Sequence, residues 1–322
     1  MSVQGTTANF SPTCIDKLRY YNLNLLFLAV LLYTMNDPNL LVKPQQNPVY
    51  QNFTAQEVGW THLNFGARLM QKNETWQHDT TEHEMAIVIL GGNFKVESDK
   101  GNWEVTNGRK DVFSGIAHTL YLPRHTKFTL TATSETLDIA YSWVETDQDF
   151  AAYLKQPEEA AIELRGGDNA NRQINSLIQP GFPCHKIVCV EVYTPSGNWS
   201  SFPAHKHDER IVDTDGKLIE AELEEIYFYK FQSPQAYAIQ QVYTYDRSLD
   251  EIIRARNNEA VLVLKGYHPV AACHGYHAYY LNFLAGSDQV LTATNDPDHE
   301  WIYGTWKTQD PRLPLVTADM NV

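Results

Sequence analysis

Two histidines one residue apart, in His205-Lys206-His207, are the sharpest chemical feature of the chain. On a β-strand, positions i and i+2 point to the same face. The two imidazoles would therefore converge, as metal coordination requires. Imidazole combined with carboxylate suits one divalent metal of the group Zn, Mn, Fe, Co or Ni. Further ligands must come from other segments. Glu225 opens the alternating run Glu225-Ile226-Tyr227-Phe228-Tyr229, and His268 follows a glycine turn in Lys265-Gly266-Tyr267-His268-Pro269. Spacing alone leaves competitors for both positions. Glu209 shares the face of His205 and His207 if that strand continues, and Glu220, Glu222 and Glu224 crowd Glu225. His274 and His277 compete with His268.

The elements that must carry these residues read as short strands. From about residue 54 onward, runs of three to eight β-type residues alternate with turn signals such as Gly91-Gly92-Asn93 and Asn107-Gly108. That spacing is the signature of a sandwich or barrel. Residues 147–179 differ. They contain Glu158, Glu159, Ala160 and Ala161, then Arg165-Gly166-Gly167-Asp168, with few β-branched residues, and read as a linker with helical pieces. A second β-rich region follows from His185 to about Trp306. No strand–helix alternation and no glycine-rich phosphate loop is present, which argues against a nucleotide-binding α/β fold. The two halves echo each other: Val112–His118 and Val261–His268 each bring a β-type run, a glycine turn and a histidine together, as a duplicated barrel would. Two His on one strand, a Glu on the next and a His later form a cupin-type metal pattern.

Composition bounds the partners. The 322 residues carry a formal charge of −14, with 43% hydrophobic and 20% charged residues. This is an ordinary globular composition with no basic footprint for nucleic acid, and an anionic membrane would repel it. Four cysteines, Cys14, Cys184, Cys189 and Cys273, form no CxxC pair and no disulfide framework. Near the start, an apolar stretch at residues 23–33 follows Lys17 and Arg19. It is shorter than the roughly 20 residues that span a bilayer. Its length suits a signal sequence, but no small-x-small cleavage site follows. An anchor, a docked helix and a segment upstream of a working start at Met35 are the three readings, and the last is preferred.

Many ordered segments point to one family. They include Thr194-Pro195-Ser196-Gly197-Asn198-Trp199-Ser200-Ser201, Pro203-Ala204-His205-Lys206-His207-Asp208, Glu224-Glu225-Ile226-Tyr227-Phe228-Tyr229-Lys230, Lys265-Gly266-Tyr267-His268-Pro269 and Asn295-Asp296-Pro297-Asp298-His299-Glu300-Trp301. With these, residues 40–301 resemble the 5-deoxy-glucuronate isomerases of myo-inositol catabolism, a branch of the uronate-isomerase bicupins. The resemblance implies an all-β bicupin, two double-stranded β-helix barrels with short helical linker segments. Expected divisions are an extension at 1–38, a metal-free barrel at 39–150, a linker at 151–182 and a metal-binding barrel at 183–322. The family's His, His, Glu, His pattern falls on His205, His207, Glu225 and His268. In the first barrel Glu82, His83, Glu84 and His118 are present without an HxH, so no metal is expected there.

The implied activity is a cytoplasmic, metal-dependent aldose–ketose isomerisation of 5-deoxy-glucuronate to 5-dehydro-2-deoxy-gluconate. A metal with open positions can bind a carbonyl and the adjacent hydroxyl of an open-chain sugar. Lys265, Tyr280 and Tyr229 are the first candidates to move the proton, with Glu224 and Asp250 behind them. An anionic sugar acid also needs a local cation in so acidic a chain. Arg247 and Lys265 are the expected grips, with Lys206 third and Gln240 as a polar contact. A homo-oligomer is left open. Alternatives are a uronate isomerase acting on 5-keto-4-deoxyuronate, a cupin dioxygenase with the same ligands, and a sugar-binding bicupin without activity.

Overall fold

Alternation along the central strands explains the architecture. In strand His83–Gly91, Met85, Ile87 and Ile89 point to one side while Ala86, Val88 and Leu90 point to the other, and all six are buried. A strand buried on both faces reads as a continuous apolar run. The computed structural model of the chain describes residues 39–321. There the odd-numbered set fills a barrel with Trp76, Phe94, Phe128, Leu130 and Tyr141. The even-numbered set belongs to a second core shared with Ile226, Phe228, Leu281 and Phe283 of the other half.

Each half is an antiparallel double-layer barrel. The first combines a six-stranded sheet with a four-stranded one. The second combines an eight-stranded sheet with a four-stranded one, plus a two-stranded ribbon pairing His205–Lys206 with Thr294–Asn295. The large sheets face each other across the shared core. Strand Leu218–Lys230 is the counterpart of His83–Gly91: Ile226 and Phe228 enter the shared core, while Glu225, Tyr227 and Tyr229 turn into the second barrel. The fold is all-β, with four short 3-10 turns among the described residues.

Paired carboxylates tie the halves together. Glu84 accepts the backbone N–H groups of His185 at 2.7 Å, Lys186 at 2.7 Å and Ile187 at 3.1 Å. Glu224, from the opposite barrel, accepts those of Thr61, His62 and Leu63 at 2.6, 2.9 and 2.8 Å. Between them the fully buried Arg109 and Glu191 form an ion pair at 2.6 Å. Tyr279 donates to Glu191 at 3.0 Å. A buried charge pair persists only when hydrogen bonds satisfy its remaining atoms. Arg109 accordingly also donates to the carbonyls of Ile89 and Gly115.

Three expectations are corrected. The stretch 151–182 holds strands Tyr153–Lys155, Ala161–Gly167 and Ala170–Ile178, with only a 3-10 turn at Pro157–Glu159. The last two strands form a hairpin on the edge of the second barrel's large sheet. Its turn, Asp168-Asn169, holds Asp168 at φ +52°, which Asp tolerates better than most residues. Strand Leu41–Val42 crosses over to pair with Ala260–Val263 of the second barrel. Finally, His118 precedes its strand, Thr119–Leu122, whereas His268 follows the matching strand Ala260–Val263, so the two histidines are not equivalent positions. The expectations for residues 1–38 fall outside the described residues.

Candidate metal centre

The second barrel gathers the HxH histidines, Glu225 and His268. Ring nitrogens of His205, His207 and His268 lie within 4.8 Å of one another. Glu225 Oε2 lies 2.9 Å from His207 Nε2 and 3.3 Å from His268 Nε2. Backbone carbonyls fix two of the rings. His207 Nδ1 donates to Leu223 O at 3.0 Å, and His268 Nδ1 donates to Gly266 O at 2.8 Å. A neutral imidazole whose Nδ1 carries the proton presents a lone pair at Nε2. Both Nε2 atoms therefore aim lone pairs at the centre, and His268 Nε2 is buried without an aligned hydrogen bond. A lone pair facing a carboxylate oxygen at 2.9 Å needs a cation between them, a proton or a metal ion.

The carboxylate and the rings are electrostatically coupled. Burial would raise the Glu225 carboxyl, but its close contacts with His207 and His268 outweigh it and hold the group well below the usual carboxylate range. Burial, with His268 and the Arg172 charge, pushes His205 well below the ordinary histidine value. Burial also pulls on His207, but the Glu225 carboxylate overcomes it and raises that ring. Three imidazoles and an ionised carboxylate converging in one buried place are the donor set that a divalent cation takes. The four residues fit such an ion.

Neighbouring polar groups hold the ligands in place. Asp208 Oδ2 accepts Gly266 N–H at 2.6 Å, bracing the turn that orients His268. Gly266 adopts φ +88°, and a Cβ there would meet Tyr243 O at 2.4 Å, so glycine is required. Partners of this kind orient metal ligands and fix their tautomers.

The competing ligands lie elsewhere. The strand breaks at His207, and the Glu209 side chain is 71% exposed beside Lys206. Glu220 is buried against Lys206, and Glu224 caps the 61–63 amides. His274 is exposed, and His277 accepts Ser196 N–H at 3.0 Å.

The centre opens into a cavity of about 350 Å³. Val190, Val192, Ile174 and Leu284 give it an apolar wall, while Tyr227, Tyr280, Ser201, Asn282 and Arg172 supply polar atoms. Of the residues expected to move a proton, Tyr280 is brought here. Its hydroxyl shares a 2.5 Å hydrogen bond with Ser200. Tyr229 is buried beyond the cavity and donates to Gln240 at 2.8 Å. Gln240 does not line the cavity either.

Lys265 is exposed and does not line the cavity. Lys206 points to the opposite side of its strand from the histidines. There Asp208 at 2.7 Å and Glu220 at 2.8 Å neutralise it. Arg247 is half exposed, ion-paired with Asp250 at 3.4 Å and stacked 4.1 Å over the Tyr243 ring, so it anchors a turn. The cations that do line the cavity are Arg165, paired with Glu163, and Arg172, and the sequence reading named neither as a grip. Their strands lay in the supposed linker. An alternating pattern, Arg172, Ile174 and Ser176 on one face, was the signal available.

Two barrels of this kind, one holding a His–His–Glu–His centre, define a bicupin with a single metal-type site among the described residues. Residues 40–302 match the KduI/IolB family, and the chain belongs to it. Curated relatives include proteins named 5-deoxy-glucuronate isomerase. That of Geobacillus kaustophilus is 35% identical over 250 residues, 77% of this chain and 88% of its own. That of Bacillus subtilis strain 168 is 32% identical over 271 residues, 82% and 98% respectively. A crystal structure of an IolB-like protein from Salmonella typhimurium superposes with a TM-score of 0.78 at 33% identity. It covers 82% of this chain and 99% of that one. Oxalate decarboxylase from Lactobacillus farciminis shares the fold, with a TM-score of 0.54 at 10% identity over 81% of this chain and 90% of that one.

Proposed function

We propose that the chain is a metal-dependent aldose–ketose isomerase that converts 5-deoxy-glucuronate to 5-dehydro-2-deoxy-gluconate in myo-inositol degradation. The observation that carries the reading is the centre itself: lone pairs of His207 and His268 facing the ionised Glu225 at the floor of a sugar-sized cavity, in a chain of this family. A divalent cation bound there supplies Lewis-acid polarisation of the carbonyl and the adjacent hydroxyl.

The chain's own groups supply the rest. The isomerisation moves one hydrogen from C2 to C1 and one O–H proton from O2 to O1, with no net oxidation. Burial raises the Tyr280 phenol, while Arg172 and the hydroxyls of Ser200 and Ser201 hold back part of that rise. Tyr280 thus stays protonated at neutral pH and donates its O–H to a sugar oxygen above the centre. The apolar wall excludes water, which strengthens that hydrogen bond. The three cysteines among the described residues are free, which suits a reducing, cytoplasmic setting. Among the described residues, no helix is long and apolar enough to cross a membrane.

The test is proton NMR of 5-deoxy-glucuronate with purified protein, before and after chelation. Conversion to the ketose that stops on chelation and returns with added divalent metal supports the reading. Absence of conversion with every divalent metal of the candidate group contradicts it.

A further inference from the structure

We propose that Arg172 is the group that holds the substrate's carboxylate and so sets specificity for a sugar acid over a neutral sugar; this rests on the isomerase reading above. The cavity is lined by two arginines, and they are treated differently. Arg165 and Arg172 are directly opposed across their antiparallel strands. Like charges so placed repel unless each finds an anion. Arg165 is neutralised by Glu163, through two parallel contacts at 2.6 and 2.8 Å. Arg172 has no ion pair among the described residues. One nitrogen, Nη1, donates to the Ser201 hydroxyl.

Among the described residues, no cation other than Arg165 and Arg172 lines the cavity, and several near the second barrel are engaged elsewhere. Lys206 is held by Asp208 and Glu220, Lys230 by Asp138, Arg247 by Asp250, Arg210 by Asp288, and Arg312 by Asp310. Arg172 is thus the cavity cation with a free face, in a chain whose net charge would otherwise repel an anionic sugar.

Its surroundings look prepared for a ligand. Ser201 sits at φ +56°, a left-handed conformation that costs a serine energy and recurs where a side chain must be aimed. Its hydroxyl steadies one edge of the guanidinium and leaves the rest for a planar acceptor. A guanidinium meets a carboxylate through two parallel N–H···O bonds. Arg172 lines the same cavity as His205, His207, Glu225 and Tyr280, so the anchor and the metal centre share one space. An open-chain uronate has its carboxylate at one end and its carbonyl and hydroxyl at the other, which matches these two poles.

Calorimetry separates the possibilities. The probes are the open-chain alditol of the substrate, which keeps the carboxylate but cannot isomerise, and the same alditol with an alcohol in place of the carboxylate. Both are titrated into metal-loaded wild type, R172A and R172K. A hydrogen-bonded charged pair is worth about 1.5–3 kcal/mol, so R172A should bind the acid roughly 10- to 150-fold more weakly. Its affinity for the neutral alditol should be unchanged, and R172K should recover part of the loss. Equal weakening of both probes would assign Arg172 a structural role, and an unchanged affinity for the acid would remove it from the site. Either result overturns the anchor while leaving wild-type isomerisation intact. If neither probe binds wild type, the isomerase reading fails and the anchor fails with it.

Discussion

At the scale of single residues, the site depends on which nitrogen of each histidine carries the proton. Gly266 O and Leu223 O decide this for His268 and His207. Substituting His268 by Ala should lower metal affinity by more than the roughly 10- to 100-fold that changes to supporting groups cost. The check is metal content after dialysis, with an unchanged circular dichroism spectrum as control. Tyr280→Phe keeps the ring and removes the donor. It should cut kcat by about 10²-fold or more with little change in KM, as general-acid losses do. Arg247→Ala should leave KM unchanged, because that guanidinium stacks on Tyr243 at the surface; a large rise in KM would return it to the site. His205 and His207 stood out because a period of two is a strand property, whereas Glu225 and His268 were separated from their competitors only by the family resemblance. Arg172 was not legible. Its neighbours Asn171, Gln173 and Asn175 are amides that read as loop, yet each is buried and hydrogen-bonded in place.

Among the elements, the hairpin formed by Ala161–Gly167 and Ala170–Ile178 is what carries Arg172 to the cavity. It escaped the sequence reading because its strands hold Gly166-Gly167 and the amides Asn171, Gln173 and Asn175 in place of the β-branched residues that mark a strand. The C-terminal segment packs on it: Asn171 Oδ1 accepts Asp310 N–H at 3.2 Å, and Asn198 donates to Asp310 Oδ2 at 3.1 Å. The hydrogen bond from Arg312 is the main cause that lowers the Asp310 carboxyl to about 2. A carboxyl depressed on folding lends stability that is fully present above its unfolded value, about 3.9, and is lost as pH falls through the folded value. The stability difference between wild type and Asp310→Asn, read from urea midpoints, should therefore be largest above pH 4 and shrink toward pH 2. A difference that grows on acidification would contradict this. The carboxylate latches make a second prediction. Glu84→Gln and Glu224→Gln each weaken a charged group's hold on three backbone amides, at a cost of about 1.5–3 kcal/mol per latch. Urea unfolding should register both losses. Because the latches join the same two barrels, the double variant tests whether the losses add.

Across the whole molecule, two copies of one architecture have taken different interiors. The strand that places Glu225, Tyr227 and Tyr229 in the second barrel has as its counterpart one that places Met85, Ile87 and Ile89 in the first. The first interior is apolar and serves as packing, and its large sheet backs the sheet that carries the site. The strand spacing and the family segments made this plan legible. The exchange of Leu41–Val42 into the second barrel was not, since a two-residue strand has no periodicity to read. The central claim is that one metal centre, in the second barrel, runs the isomerisation. Its most direct test is to load metal-free protein with increasing divalent metal and measure isomerisation of 5-deoxy-glucuronate at each step. The predicted result is activity that rises in proportion to bound metal and stops rising at one equivalent per chain. Full activity in the metal-free protein would contradict the account.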